Sequence, residues 1–281
     1  MVRQSGSMDP SAVDGPVPER GRHFVQSLER GLRVICSFDA QSPRKTLTEV
    51  ARETGLTRAT ARRFLLSLVD LSYVDTDGRY FWLGPRVLEL GYAYLSSLTI
   101  PEVAMPHLKV LAAEVEESCS VSILDGEDVV YVARMPVSRI MTVSISVGTR
   151  FPAYATSMGR VLLANLPEAE LRSYLESVEL RRLAPRTITN KKKFREELDL
   201  VRDRGWAMVE EELEEGLRSI AAPIQDRDER TLAALNISTH AVRRSADSIE
   251  QDLVPPLLDT AREITRDLRA AGLGAGEGAS R

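Results

Sequence analysis

Apolar residues recur at helical spacing through the first third of the chain, and strand-like alternation appears further on. Phe24 to Ala40 puts Leu28, Leu32, Val34, Ile35 and Phe38 on one side of a predicted helix, which Ser42-Pro43 ends. Leu47 to Thr54 predicts a short helix with Leu47, Val50 and Ala51 inward. Gly55-Leu56 reads as a tight turn, and Thr57 as the N-cap of a third helix, Arg58 to Leu71. On that helix Ala61, Phe64, Leu65, Leu68 and Leu71 share one face, while Ala59, Arg62, Arg63 and Asp70 share the other. Two strands, Ser72–Asp75 and Arg79–Leu83, flank Asp77-Gly78, a hairpin signal. Helix, helix, turn, helix, hairpin is the plan of a winged helix-turn-helix. It sets Thr57, Arg58 and Thr60 at the helix end that points into the major groove, with Arg79 and Tyr80 at the wing tip.

Pro85 to Ser97 predicts a linker helix, and Ile100-Pro101 separates it from a helix over Val103–Glu117. Beyond that, Cys119–Leu124 and Val129–Arg134 form a hairpin, and Ile140–Val147 alternates as a third strand carrying Met141. Helices are expected over Met158–Ala164, Pro167–Val178, Lys191–Arg204 and Ala241–Arg269, the last interrupted by Pro255-Pro256. Strands are expected over Leu217–Pro223 and Thr231–Ser238. The fold class is therefore α+β: a winged helix-turn-helix over residues 20–84, a linker over 85–101, and an antiparallel sheet with helices over 102–271. Residues 1–19 and 272–281 read as disordered ends.

Charge sharpens this division. The 281 residues carry a net charge of −4, yet residues 20–85 hold 11 Lys+Arg against seven Asp+Glu, leaving −8 on the remainder. A basic small domain beside an acidic larger one suits a polyanion-binding module joined to a control module. On this reading Thr57, Arg58, Ala59, Thr60, Arg62 and Arg63 face the bases, while Arg44, Lys45 and Arg79 hold phosphates. One half-site binds weakly, so a homodimer or a dimer of dimers on a palindromic duplex site is expected. No apolar run approaches a membrane helix, and no secretory leader is apparent. Two cysteines and three histidines make a disulfide scaffold or a metal centre unpromising, and a reducing cytoplasm fits best. No Walker or dinucleotide pattern occurs, so no cofactor is expected.

Two longer stretches carry a resemblance. Gly148-Thr-Arg-Phe-Pro-Ala-Tyr-Ala-Thr-Ser-Met-Gly-Arg-Val-Leu-Leu-Ala164 and Glu210-Glu-Glu-Leu-Glu-Glu-Gly-Leu-Arg-Ser-Ile-Ala-Ala-Pro223 resemble the effector-domain signatures of IclR-type transcriptional regulators. The likeness runs from about Phe24 to Arg269. Val132-Ala-Arg-Met-Pro136 and Leu235-Asn-Ile-Ser-Thr-His240 resemble the branch that controls protocatechuate and β-ketoadipate catabolism, the PcaR, PcaU and PobR group. The resemblance implies a GAF-like effector-binding domain that takes a small carboxylic acid and assembles as dimers or tetramers.

Local chemistry is compatible with such a site. Thr156 or Ser157 can cap the helix starting near Met158, leaving the first amides, Met158, Gly159 and Arg160, as partners for a carboxylate. By itself this pattern reads first as an ordinary capped helix with no ligand; the resemblance turns it into a candidate site. Asn236 and Ser238 share a strand face, Ser219 sits on another strand, and the family pattern implies ligand contacts there and at Met141. Arg134 could meet a second carboxylate or form a surface salt bridge. Five acids among the six residues Glu210 to Glu215 read as a solvated segment rather than a metal site. Two rival readings remain: control by a protein partner instead of a metabolite, and a cysteine enzyme using Cys119 with His107 or His240. The second is disfavoured because Glu114, Glu116 and Glu117 would raise the thiol pKa.

Overall fold

The computed structural model describes residues 24–39, 41–90, 99–137 and 145–271. The predicted disordered ends, most of the linker helix, and Met141 with residues 140–144 of its strand lie outside that set. Two compact units emerge, Met1–Ala93 and Tyr94–Arg281.

The first unit packs α1 (Gln26–Cys36), α2 (Leu47–Thr54) and α3 (Arg58–Asp70) against a three-stranded antiparallel sheet, order β1-β3-β2. Its strands are β1 (Lys45–Thr46), β2 (Val74–Thr76) and β3 (Tyr80–Leu83). Val34, Val50, Leu65, Leu68, Val74 and Phe81 form its core. The helix-turn-helix is set by caps. Thr46 and Glu49 make a reciprocal capping box on α2; Gly55 ends it at φ +66°, a conformation glycine adopts without steric cost; Thr57 Oγ1 accepts from the Thr60 amide at 3.2 Å to start α3. Two expectations change. Leu28 and Leu32 are 63% and 47% exposed, so α1 buries Val34 and leaves much of its apolar side uncovered within this unit. Leu71 caps α3 and is exposed instead of joining its inner face. Residues 87–90 are helical, and the rest of the predicted linker helix lies outside the described residues.

The second unit is a six-stranded antiparallel sheet, order β6-β5-β4-β9-β8-β7. Its strands are β4 (Ser118–Asp125), β5 (Asp128–Met135), β6 (Arg150–Pro152), β7 (Ala207–Glu210), β8 (Leu217–Gln225) and β9 (Thr231–His240). Helices α4 (Thr99–Val115) and α9 (Val254–Ala270) cover one face, burying Leu108, Leu111, Leu257 and Ile264 against Ile220, Leu235 and Ile237. Helices α5 (Ser157–Ala164), α6 (Glu168–Ser177) and α7 (Lys191–Arg204) build the core on the other, around Leu163, Leu171, Phe194 and Leu198. A short helix α8 (Ala246–Asp252) precedes α9. Pro101 does not separate elements: it falls in the first turn of α4, where a missing N–H costs nothing. Pro255-Pro256 likewise opens α9, and the helical run breaks at Leu253. Edge strands β6 and β7 are too short to show alternation and were not expected. Residues 145–147 form no strand.

Candidate DNA-reading face and effector cavity

On α3, Ala61, Leu65 and Leu68 are buried, and Arg58, Ala59, Arg62, Arg63 and Leu66 are exposed. None of the three arginines meets an acidic side chain among the described residues. Thr57 is exposed, and its hydroxyl donates to Thr60 Oγ1 at 2.9 Å. The wing is held by its own turn: Asp77 Oδ1 accepts from the amides of Arg79 and Tyr80 at 2.9 and 2.7 Å, and Gly78 stands at φ +90°. These amides hold the Asp77 carboxyl below its ordinary pKa. Arg79 lies 5.2 Å from the Tyr80 ring and exposed Arg44 4.0 Å from the Trp82 ring, which leaves both guanidiniums on the wing surface.

Lys45, expected to hold phosphate, does not fit that role. It is 3% exposed, its ammonium donates to the Ser37 carbonyl, and Glu53 pairs with it at 2.5 Å. Its strand position opposite Phe81 turns it into the unit, where a buried cation must be matched internally.

In the second unit the sheet face toward α5 is half apolar and half polar. The register aligns Ser219 with Ser238, Ser238 with Ser118, and Asn236 with Ser120 and then Arg134. A cavity opens where this polar row meets the start of α5. Tyr131, Ile145, Thr156, Ser157, Met158, Val209, Leu213, Leu217, Ser219, Asn236 and Ser238 line it, with Ala155. Its free volume is about 10 Å³, the space of about one water.

Thr156, not Ser157, is the N-cap: its Oγ1 accepts from the Gly159 amide at 3.0 Å and its carbonyl from the Arg160 amide at 3.0 Å. The amides that precede these two and have no acceptor within α5 are therefore Ser157 and Met158, one position earlier than expected. Ser157 Oγ donates to Ser219 Oγ at 2.9 Å and ties α5 to the sheet. Gly159 lets the preceding turn pack directly on α5, because a Cβ there would lie 2.0 Å from the Ala153 carbonyl oxygen. Asn236 Nδ2 donates to Ser238 Oγ at 2.8 Å, while Asn236 Oδ1 is buried with no partner among the described residues. Arg134 does not line the cavity. It lies two strands from Asn236, donates to Ser120 Oγ at 3.1 Å, and has a buried Nε without a partner among the described residues. No carboxylate pairs with it among the described residues, and burial lowers its pKa. Burial pushes the Tyr131 phenol up to about 12, which keeps it protonated.

The acidic segment is not wholly solvated. Glu212 is 7% exposed, and both its oxygens lie 2.7 Å from Arg160 Nη2. Arg160 is itself 2% exposed. Sequence reading missed this pair because its members stand 52 positions apart. An arginine inside an otherwise apolar helix stretch was the available signal.

The matches to known proteins agree with both halves. Residues 27–78 match the IclR helix-turn-helix domain and residues 92–266 the bacterial transcriptional regulator IclR C-terminal domain. The chain belongs to the IclR family. It is a DNA-binding transcriptional regulator of the Pca/Pob branch, not an enzyme. The Pca regulon regulatory protein of Pseudomonas putida is 41% identical over 246 residues, 87% of this chain and 84% of that protein. A protein of Rhodococcus sp. RHA1 of known crystal structure is 58% identical, with a TM-score of 0.80 over 89% of this chain and 100% of the other. The inducer-binding domain of a PobR double mutant from Acinetobacter, crystallised with 3-hydroxybenzoic acid, is 36% identical, with a TM-score of 0.55 over 59% of this chain and 97% of that domain. Cys119 is consistent with a non-enzyme: it is fully buried, and burial, with Glu117 beside it, pushes its thiol up to about 12.

Proposed function

We propose that this regulator senses a hydroxylated aromatic acid in the cavity between α5 and the sheet. The observation that carries the reading is one cavity lined both by Ser157 and Met158, whose amides open α5, and by Asn236, whose Oδ1 has no partner among the described residues. The amides at a helix start suit a carboxylate. A buried acceptor without a donor suits a ring hydroxyl. Thr156, Gly159, Ser219 and Ser238 set the geometry, and Arg134, a half-buried cation without a carboxylate, gives the site its positive bias. The 3-hydroxybenzoic acid held by the PobR domain supports the same class.

The regulator binds a palindromic operator as a homodimer or dimer of dimers in the cytoplasm. Thr57, Arg58, Ala59, Thr60, Arg62 and Arg63 read the groove, and Arg44, Arg79 and Tyr80 contact phosphate. The effector shifts operator binding by its differential affinity for the two states. Calorimetry with 4-hydroxybenzoate, 3,4-dihydroxybenzoate, benzoate and adipate tests the sensor. The hydroxylated rings are expected to bind, with benzoate at least about tenfold weaker because Asn236 Oδ1 stays unpaired. Silence toward all four would support control by a protein partner instead.

A further inference from the structure

Among the described residues the effector cavity is lined by Tyr131 of β5 with Ile145, by strands β8 and β9, by the start of α5 and by the β7–β8 hairpin. The sheet wall stands on the paired strands β8 and β9. The helix wall is pinned by the 2.9 Å bond from Ser157 to Ser219 and by the contact of Gly159 with Ala153. The β7–β8 hairpin supplies Leu213 from its turn and Leu217 from the first position of β8. Its strand β7 is the sheet's edge. The turn has left-handed backbone at both ends, Glu211 at φ +53° and Gly216 at φ +82°. A cavity that holds one benzene ring is on the order of 150 Å³. The free volume here is about 10 Å³, so an aromatic acid enters only if a wall moves.

We infer that Glu212 is the positioning residue of this turn: its buried ion pair with Arg160 anchors the hairpin, and the Leu213–Glu215 arc hinges on that anchor to admit and then cover the effector. The inference rests on the effector reading above. Glu212 is the point at which the turn is nailed down. Its carboxylate takes Arg160 Nη2 at 2.7 Å and the Ile188 amide at 2.9 Å, and its carbonyl accepts from Thr187 Oγ1 at 2.7 Å. Arg160 also faces Glu197 of α7 at 3.8 Å. The anchor thus joins the turn to the helix whose first amides meet the effector and to the packing behind it. Breaking a buried pair is expensive, so opening leaves Glu212 in place and moves the arc beyond it. Both ends of the arc are tied: Glu211 Oε2 accepts from the Gly216 amide at 3.0 Å and pairs through Oε1 with Arg186 at 3.5 Å, Leu217 O accepts from the Glu211 amide at 2.7 Å, and the Gly216 carbonyl accepts from the Ala241 amide at 2.8 Å, so Gly216 is the second hinge and Leu213–Glu215 the part that moves.

Two variants of the full-length chain test this, Glu212→Gln and Leu213→Ala. Amide hydrogen exchange without effector is expected to quicken at least about tenfold over residues 211–217 in Glu212→Gln, while β4, β9 and α9 keep their protection. In stopped-flow binding of 4-hydroxybenzoate, both variants are expected to raise koff at least about tenfold, with kon equal to or above that of the parent. Leu213→Ala leaves the ion pair untouched, so it isolates the cover from the anchor. Exchange that quickens across the whole second unit in Glu212→Gln would make the pair a general structural bond and overturn its positioning role. A koff in Leu213→Ala equal to that of the parent would overturn the turn as the moving wall. Failure of the parent chain to bind any hydroxybenzoate would instead refute the effector assignment, a result that exchange over 211–217 does not depend on.

Discussion

The two units use arginine in opposite ways. On α3, Arg58, Arg62 and Arg63 stand in solvent with no carboxylate among the described residues to neutralise them. In the effector unit, Arg160 is sealed inside the protein and matched by Glu212. A surface cation with no internal partner adds little to stability and keeps its charge for an external phosphate or base. A buried, matched cation offers nothing to an outside ligand, but the fold around it depends on the match. Function on the DNA side is therefore carried by what is left unpaired, and architecture on the effector side by what is paired. At the cavity in that unit the pattern turns again: among the described residues Asn236 Oδ1 has no partner, and the first two amides of α5 have no acceptor within their own helix.

The largest effect should come from removing a matched cation. Arg160→Met leaves the Glu212 carboxylate buried without its partner, and such a loss costs about 3–5 kcal/mol. Urea unfolding of the second unit is expected to shift by that amount. A shift under about 1 kcal/mol would mean that the interior tolerates the bare carboxylate and that the contrast drawn above is wrong. Arg62→Ala and Arg63→Ala should do the reverse. Stability should stay within about 0.5 kcal/mol. Operator affinity, read by fluorescence anisotropy, should drop by about 1–3 kcal/mol for each arginine that reads a base.

Much of the first unit could be read from local pattern. The capping box at Thr46, the left-handed Gly55, the Thr57 cap and the Asp77-Gly78 hairpin are each set by residues within four positions of one another, and all appear in the structure. The inner face of α3 was legible for the same reason, since period and burial coincide there. What failed was anything decided by distant neighbours. Lys45 looks like a surface cation until β1 pairs with β3 and turns it inward to Glu53. Glu212 looks solvated among its acidic neighbours until the β7–β8 turn folds onto α5. Strand Leu217–Gln225 was visible as a strand, but its alignment with β9, which brings Ser219 beside Ser238, is a property of topology. The polar half of the cavity lining, Thr156, Ser157, Ser219, Asn236 and Ser238, was among the expected residues, whereas its apolar half, Tyr131, Ile145, Val209, Leu213 and Leu217, was not.

Lys45 and Arg44 put that lesson to a finer test, because they are adjacent in sequence and opposite in environment. Arg44→Ala should lower the slope of log affinity against log salt by about 0.9, the effect of one lost phosphate contact. Lys45→Ala should leave that slope unchanged and reduce stability instead, since Glu53 loses its partner. Equal salt slopes for the two variants would place both cations on the DNA, or neither.

The smallest expected effect concerns acid. In the first unit the carboxyls of Asp39, Glu49 and Asp77 are all held below their ordinary pKa, chiefly by backbone amides: Ser42 for Asp39, Thr46 for Glu49 and Tyr80 for Asp77. A depressed folded pKa means that the ionised form is favoured in the native state. The stability it confers is complete above the unfolded value, near 4, and is lost as pH falls through the folded value. In the second unit the matching depressions at Glu168 and Asp267 come chiefly from side chains, Arg195 and His107. Salt screens an exposed ion pair more than a short bond to a backbone amide. Acid loss in the first unit should therefore persist in high salt. A Trp206→Phe background leaves Trp82 as the only tryptophan, so its fluorescence reports the first unit alone. In that background Asp77→Asn keeps an acceptor for both turn amides but cannot be protonated, so its stability should fall less than the parent's between about pH 5 and 3. Identical pH profiles for the two would show that the wing turn owes nothing to the carboxylate charge.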